Sequence, residues 1–227
     1  MAPQGKEMSQ TIAVIDFETT GMSPQHGARA TEIAIVLLEG GRVVGRYQSL
    51  MRTGAWIPPF ITRLTGITPA MVEAAPPAQD VMREAARFVG GLPMAAHNAA
   101  FDRKFWQAEL AHAGQAAPHA FVCTVLLSRR LYPEAPSHSL GRLIDHLGLP
   151  RAGPAHRALA DAEMAAALLA RMQGDVRQRY GLDEPAHALL TAMQHWPRSA
   201  LQRRMQQHVA LAATPPFDPF APTLQER

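Results

Sequence analysis

Five residues define the chemistry open to this chain: Asp16 and Glu18, then Asp102, then His156 with Asp161. Four carboxylates and one imidazole, in that order, form a donor set for two divalent metal ions. Asp16-Phe17-Glu18 comes directly after the apolar run Thr11-Ile12-Ala13-Val14-Ile15 and reads as the end of a buried strand, where residues i and i+2 point to one face. The two carboxylates should then converge, roughly 5–7 Å apart. Two anions held together at an apolar edge are unfavourable unless a cation compensates them. Oxygen ligands favour Mg²⁺ or Mn²⁺ over zinc. A turn-capping Asp beside a solvated Glu would leave the same pattern, so the pair gains its meaning from its neighbours in the chain.

Immediately C-terminal to the pair lies Thr19-Thr20-Gly21-Met22, a glycine turn whose hydroxyls and backbone N–H groups could hold a nucleotide. The next acid, Asp102, ends Ala96-His97-Asn98-Ala99-Ala100-Phe101-Asp102. That segment continues from a short apolar strand, Pro93-Met94-Ala95-Ala96, and runs into a helical stretch over 103–113. Asp102 falls in the first helical turn, where the helix dipole also favours an acid. The third group is His156-Arg157-Ala158-Leu159-Ala160-Asp161. Five helical steps turn through roughly 500°, leaving His156 and Asp161 about 140° apart on one continuous helix. His156 is therefore expected just before the helix, behind Gly153-Pro154, with Asp161 one turn inside.

These segments resemble the DnaQ-like 3′–5′ exonucleases of the DEDDh class, the family of the proofreading epsilon subunit of bacterial DNA polymerase III. The resemblance spans about residues 10–175. It rests on Asp-Phe-Glu-Thr-Thr-Gly-Met (16–22), Leu-Thr-Gly-Ile-Thr (64–68), His-Asn-Ala-Ala-Phe-Asp (97–102), Ser-His-Ser-Leu (137–140) and His-Arg-Ala-Leu-Ala-Asp (156–161). The sister class carries Tyr four residues before the last Asp. Here that position is Arg157, which favours the histidine class.

The resemblance implies a role for each residue. Asp16, Glu18 and Asp161 would ligate the tighter of two divalent ions, Mg²⁺ or Mn²⁺, and Asp16 with Asp102 the second. His156 would be the general base. Thr19, Gly21, Met22, Leu64, Thr65, Asn98 and Phe101 would contact the terminal nucleotide. Met22, Leu64 and Phe101 are apolar, so they would stack on the base or wedge beside it; rim-of-core residues would look the same. The implied reaction, phosphodiester hydrolysis, needs a deprotonated water and cations to neutralise the developing charge. An imidazole ordinarily exchanges its proton near neutral pH.

The elements that must position these residues read as an α/β domain. Apolar segments near 11–16, 31–39 and 42–50 form an antiparallel meander, with Gly40-Gly41 as a hairpin turn. Later strands near 93–97 and 120–124 alternate with helices at about 78–90, 100–113, 139–147 and 157–172, as in parallel crossover units. The sum resembles a ribonuclease H-like mixed five-stranded sheet, order 3-2-1-4-5, flanked by helices. Glu32 on the second strand reads as a strand-edge surface acid that could approach the metals.

Composition sets wider bounds. The chain has 227 residues, 47% of them hydrophobic, which suffices for one well-buried domain and a small appendage. A single cysteine, Cys123, excludes an internal disulfide and a Cys-based zinc cluster and suits a reducing cytoplasm. No signal-like or membrane-spanning run is expected, so no membrane partner is. Lys and Arg exceed Asp and Glu by only 22 to 19, a weak pointer to nucleic acid.

The expected division is a tail at 1–10, the exonuclease domain at 11–175, a helical C-terminal extension at 176–213 interrupted by Trp196-Pro197, and a proline-rich tail at 214–227. Leu201, Met205, His208 and Leu211 recur at helical spacing, so one face of the extension should dock on the domain or on a partner. The extension is expected to be dispensable for hydrolysing short strands; the alternative is that it completes the core. It lacks a good copy of the clamp-binding peptide of the epsilon proofreading subunit, Gln-x-x-Leu/Met-x-Phe. The function expected is 3′–5′ hydrolysis of single-stranded or frayed nucleic acid, DNA before RNA, by a stand-alone or repair enzyme. The alternatives are a proofreading subunit with a polymerase partner, an RNA-trimming exoribonuclease, and a non-catalytic nucleic-acid-binding module.

Overall fold

The computed structural model describes residues 10–153 and 156–213. The expected N-terminal tail, the Pro154 expected before the third motif and the proline-rich end at 214–227 fall on or beyond the edges of the described residues. Five strands form one sheet in the order β3-β2-β1-β4-β5. They are β1 (Ile12–Thr19), β2 (Ala30–Glu39), β3 (Arg42–Leu50), β4 (Met94–Ala96) and β5 (Phe121–Cys123). The first three make the expected antiparallel meander, and β4 and β5 add in parallel. Gly40 and Gly41 turn the β2–β3 hairpin with φ of 53° and 77°, the left-handed pair that a type I′ turn requires.

Period-2 alternation sorts the side chains between two cores. Ile12, Val14, Ala34, Val36, Ala95 and Val122 face one way; Ala13, Ile15, Phe17, Ile33, Ile35 and Met94 face the other. The first face is covered by α5 (Thr124–Leu131), α6 (Leu140–His146), α7 (Ala158–Tyr180), α8 (His187–Met193) and α9 (Leu201–Ala213). The second is covered by α3 (Ala78–Val89) and α4 (Ala99–His112). Small residues set the close approach of α7 to the sheet: Ala158, Ala162, Ala165 and Ala166 are at most 1% exposed. Asp16 and Glu18 continue the Ile12–Val14 face, so they emerge beneath α7.

Several boundaries differ from the sequence reading. β1 runs on to Thr19, so Asp16 and Glu18 lie inside the strand, and its register with β2 shifts only after Glu18. The helix α7 extends to Tyr180, where Gly181 closes it with a left-handed cap. The short helices α1 (Pro59–Thr65) and α2 (Pro69–Glu73) are additions, each opened by the Pro that fits a first helical turn. α5, eight residues long, is another addition.

The extension is not an appendage. Leu189, Leu190, Met193, Leu201 and Met205 join the α7-side core. Gln194 finishes the sheet at β5, its side chain accepting from the Cys123 N–H at 2.7 Å and donating to the Phe121 carbonyl at 3.2 Å. It does for the β5 backbone what a sixth strand would do. This packing favours the stated alternative to dispensability: Leu201 and Met205 join the core, whereas Leu211 is exposed.

Candidate active site

Three elements deliver the four acids to one end of the sheet. β1 supplies Asp16 and Glu18, the first turn of α4 supplies Asp102, and the first turn of α7 supplies Asp161. His156 lies just outside α7 with φ of 61°, a left-handed backbone that is uncommon for a residue other than glycine. Its N–H donates to Asp161 Oδ2 at 3.0 Å, which holds the loop over the acid. Glu18, His156 and Asp161 can each bring a ligand atom within 4.8 Å of the other two.

Asp102 sits beneath this group and is 2% exposed. It belongs to the buried stripe of α4 with Phe105, Trp106 and Leu110. Its Oδ1 accepts the Phe17 N–H at 3.3 Å, which ties α4 to β1 between the two β1 acids. The backbone enters α4 through Asn98 in a left-handed conformation, φ 69° and ψ 48°. α4 is also fixed from its far half: Glu109 takes a two-pronged ion pair from Arg29, at 2.9 and 2.8 Å, and accepts the Ala30 N–H at 3.0 Å. The sequence reading missed Glu109, an acid on the apolar stripe two turns after Asp102.

Burial, together with mutual repulsion, pushes the acids above the usual carboxylate range. Glu18 rises to about 7 through desolvation and the charges of Asp161 and Glu32, against a downward pull from Arg157. Asp102 rises to about 8, chiefly by desolvation, although its backbone hydrogen bonds oppose the rise. Asp16 is raised well above its ordinary value by burial and then by Asp102, Asp161 and Glu18. Asp161 is raised by burial, with the His156 N–H pulling back. Acids gathered against such repulsion call for a cation.

Glu32 corrects one expectation. It is 1% exposed rather than a surface acid, because β2 is an inner strand and α7 roofs it. It lies opposite Glu18 in the β1–β2 register but turns its oxygens elsewhere. They accept from Arg157 at 3.0 Å, from the Ala158 N–H at 3.2 Å and from Gln48 at 2.8 Å. Glu32 is thus the anion at the N-terminus of α7, where the helix dipole favours one, and Arg157 is its counter-ion rather than a solvated cation. Together they fix the start of the helix that carries Asp161.

A cavity of about 250 Å³ opens over the acids, lined on its polar side by Asp16, Glu18, His156 and Asp161. Thr19, Gly21, Met22, Leu64, Thr65 and Phe101 line the rest, together with Phe60 and Ile61. Asn98 is not brought into this cavity; it lines two neighbouring grooves with Arg129. Met22 and Leu64 are 78% and 50% exposed, which excludes a core role, whereas Phe101 packs tilted against Phe105, ring centroids 4.9 Å apart, at the edge of the core. Phe60 was missed, although Phe60 and Leu64 stand at i,i+4 and share a helix face. The Thr19 and Thr20 hydroxyls are engaged within the turn, Thr19 donating to the Gly21 carbonyl and Thr20 accepting the Arg29 N–H. Gly21 sits close to Ala28: a Cβ there would approach that of Ala28 to 3.3 Å, a tight contact.

With that geometry in view, the exonuclease family model matches residues 13–169. The chain belongs to the exonuclease family. It is 37% identical over 170 residues to the 3′-5′ exonuclease DinG of Bacillus subtilis (strain 168), a match covering 74% of this chain but 18% of that protein. It is 30% identical over 175 residues to the DNA polymerase III subunit epsilon of Aquifex aeolicus (strain VF5), covering 77% and 86%. Among solved structures, Exonuclease X in complex with 5′ overhanging duplex DNA superimposes with a TM-score of 0.63 at 30% identity, covering 79% of this chain and 99% of that one. The DEDDh resemblance and the ribonuclease H-like sheet are therefore borne out.

Exonucleases of this family generally use divalent metals, and the residues present fit such ions: carboxylates with a single imidazole and no thiolate. The one cysteine is buried in β5, on the sheet face opposite Asp16 and Glu18. Among the described residues no helix is long and apolar enough to cross a membrane.

Proposed function

We propose that this chain is a two-metal-ion 3′–5′ exonuclease that removes nucleotides from single-stranded or frayed 3′ ends, DNA rather than RNA, and releases nucleoside 5′-monophosphates. The observation that carries the reading is the convergence of four acids, all raised above their ordinary range, beneath an imidazole at the lip of an apolar-walled cavity. A binding module has no use for acids held in so destabilising an arrangement.

Asp16, Glu18 and Asp161 are the proposed ligands of one ion, and Asp16 with Asp102 those of the second. Bound there, the ions would supply positive charge that favours a deprotonated water and offsets charge developing on the leaving 3′ oxygen. His156 is the proposed base, taking a proton from the attacking water. Its position on the loop outside α7 suits a group that must collect the proton and release it to solvent. Met22, Phe60 and Leu64 offer apolar faces for the terminal base, while Thr19, Gly21, Thr65 and Phe101 shape the pocket around it. Asn98 would act from the adjoining groove, on the strand rather than the terminal nucleotide.

The preference for DNA is supported by the names of the relatives, one a DNA polymerase subunit and one a DNA-bound exonuclease. Similarity to an epsilon subunit over most of its length favours a second reading, proofreading within a polymerase complex, and co-purification with a polymerase tests it. In either setting a cytoplasmic location fits the single buried cysteine. The decisive assay digests labelled single-stranded DNA, single-stranded RNA and mismatched duplex side by side with Mg²⁺, Mn²⁺ or chelator. Metal-dependent release of 5′-monophosphates from the 3′ end supports the reading. Full activity in chelator, or digestion from the 5′ end, refutes it.

A further inference from the structure

The sulfur atoms of this chain are distributed unevenly between core and solvent. It has 11 methionines, of which Met1 and Met8 lie outside the described residues. Seven of the remaining nine are at most 2% exposed, and Met71 is half-buried. Met22 is 78% exposed. The one thiol, Cys123, is 7% exposed in β5. A dissolved oxidant must reach a sulfur atom to react with it, so Met22 is the sulfur most open to attack among the described residues.

Its place gives that exposure a consequence. Met22 lines the cavity over the acids beside Phe60, Leu64 and Phe101, and it also lines a second cavity of about 430 Å³. The first offers it an apolar wall. The second offers hydrogen-bond donors: the Ser23 hydroxyl, the His26 ring and the indole N–H of Trp56. Ser23 spends no side-chain bond on the turn it opens, and Trp56 is 74% exposed. An unbranched thioether with free torsions can lie against either lining. A sulfoxide oxygen is a strong acceptor, costly against an apolar wall and satisfied among donors. Oxidation therefore draws the side chain out of the first cavity.

Resting on the exonuclease reading, we propose that Met22 is a peroxide-sensitive modification site that sets the grip on the terminal nucleotide. The thioether sulfur attacks one oxygen of hydrogen peroxide, forming an S–O bond as the O–O bond breaks. The departing hydroxide takes the proton left on the transferred oxygen, so sulfoxide and water result. Sulfur is oxidised by two electrons and the peroxide is reduced by two. The four acids and His156 are unchanged by this step, so the loss falls on nucleotide contact and not on metal. A thiol-dependent sulfoxide reductase returns the thioether, which makes the modification reversible.

The test treats the full chain and its Met22→Leu and Met22→Gln variants with hydrogen peroxide in chelator, then removes both reagents. Peptide mapping reads which sulfurs have gained oxygen, with Met1, Met8 and Cys123 followed separately. Initial rates on a short single-stranded DNA with Mg²⁺ give kcat and KM, anisotropy in chelator gives affinity for the same strand, and calorimetry gives Mn²⁺ affinity. Met22 should gain oxygen before any other described methionine. With it kcat/KM should fall roughly 2- to 12-fold, the range of one lost sulfur–ring contact, mainly through KM and with Mn²⁺ affinity unchanged. Sulfoxide reductases with dithiothreitol should restore the rate. Met22→Leu, whatever its own rate, should lose nothing further to peroxide, and Met22→Gln should behave before treatment as the oxidised parent does. A Met22→Leu chain that loses as much as the parent, a loss that tracks Cys123 or a buried methionine, or full oxidation of Met22 with kcat/KM unchanged would each overturn the proposal. If the untreated chain cleaves nothing, the exonuclease reading fails instead, and the mapping with strand affinity before and after treatment decides the site.

Discussion

Glu18→Gln isolates what the carboxylate cluster costs the metal-free fold. Glu18 is 9% exposed, and its folded-state pKa stands near 7 against an ordinary 4.5. A raised carboxylate holds its proton more tightly in the folded state. Its stability contribution is therefore fully present at low pH and lost as pH climbs from the ordinary value to the folded one. Between pH 5 and pH 8 this one group should remove about 2–3 kcal/mol, at about 1.4 kcal/mol per pKa unit. For a chain of this size that is about 4–12 °C in melting temperature. Asp16, Asp102 and Asp161 are shifted in the same direction, so they deepen the loss.

The amide cannot titrate, so in chelator the variant should match the unmutated chain at pH 5 and exceed it at pH 8. Differential scanning calorimetry across pH 5–8 reads that gap directly. Adding Mg²⁺ should close it from the other side, because an ion that binds only the folded state stabilises by mass action, and the variant has lost a proposed ligand. A gap that stays constant with pH, or a variant less stable than the parent at pH 8, would refute the reasoning. Glu18 would then be a satisfied structural acid.

Three further outcomes are expected. His156→Ala should lower kcat by roughly 10²–10⁴ while leaving Mn²⁺ affinity within a few-fold, as measured by single-turnover kinetics and calorimetric titration; collapse of metal binding would make His156 a ligand instead. Gln194→Ala leaves the Cys123 N–H and Phe121 carbonyl without their side-chain partner, so urea unfolding should show about 2–6 kcal/mol lost, at about 1–3 per orphaned group. Ending the chain near Gly181 removes the same contacts and uncovers the α7-side core, so that chain should be poorly soluble and melt without cooperativity; a soluble, fully active truncation would restore the dispensability expected from sequence.

The acid-bearing end of the fold was legible because its signals are local. Asp16, Glu18, Asp102 and Asp161 each sit at a fixed offset from an apolar strand or a helix start, and strand order derives from period and turn chemistry. Glu32 and Glu109 were misread or missed because their meaning is not local. Each is an acid whose partner stands far away in sequence, Arg157 for the first and Arg29 for the second. No spacing rule links such pairs. Gln194 escaped for the same reason: a glutamine after a short helix carries no mark that it will bond a sheet edge 71 residues upstream. Phe60 was unreadable on a different ground, since exposure rather than residue type gives it its interest, and exposure belongs to the folded chain.

The acids proposed to do the chemistry and the acids that hold the scaffold lie side by side, and the difference between them is the partner. Glu32 and Glu18 face each other across β1 and β2, both nearly closed to solvent. Glu32 is satisfied within the chain by Arg157, Gln48 and the first turn of α7. Glu18 is offered nothing comparable; Arg157 reaches it only as a weak opposing charge. The geometry therefore commits Arg157 to the structural acid and leaves its neighbour open to the proposed external ion. Moving that cation by Glu32→Gln should release Arg157 toward Glu18, lower the need for metal, and loosen the start of α7 on which Asp161 and His156 depend. Metal affinity and kcat should fall together in that variant, whereas a purely structural Glu32 would change the melting temperature alone.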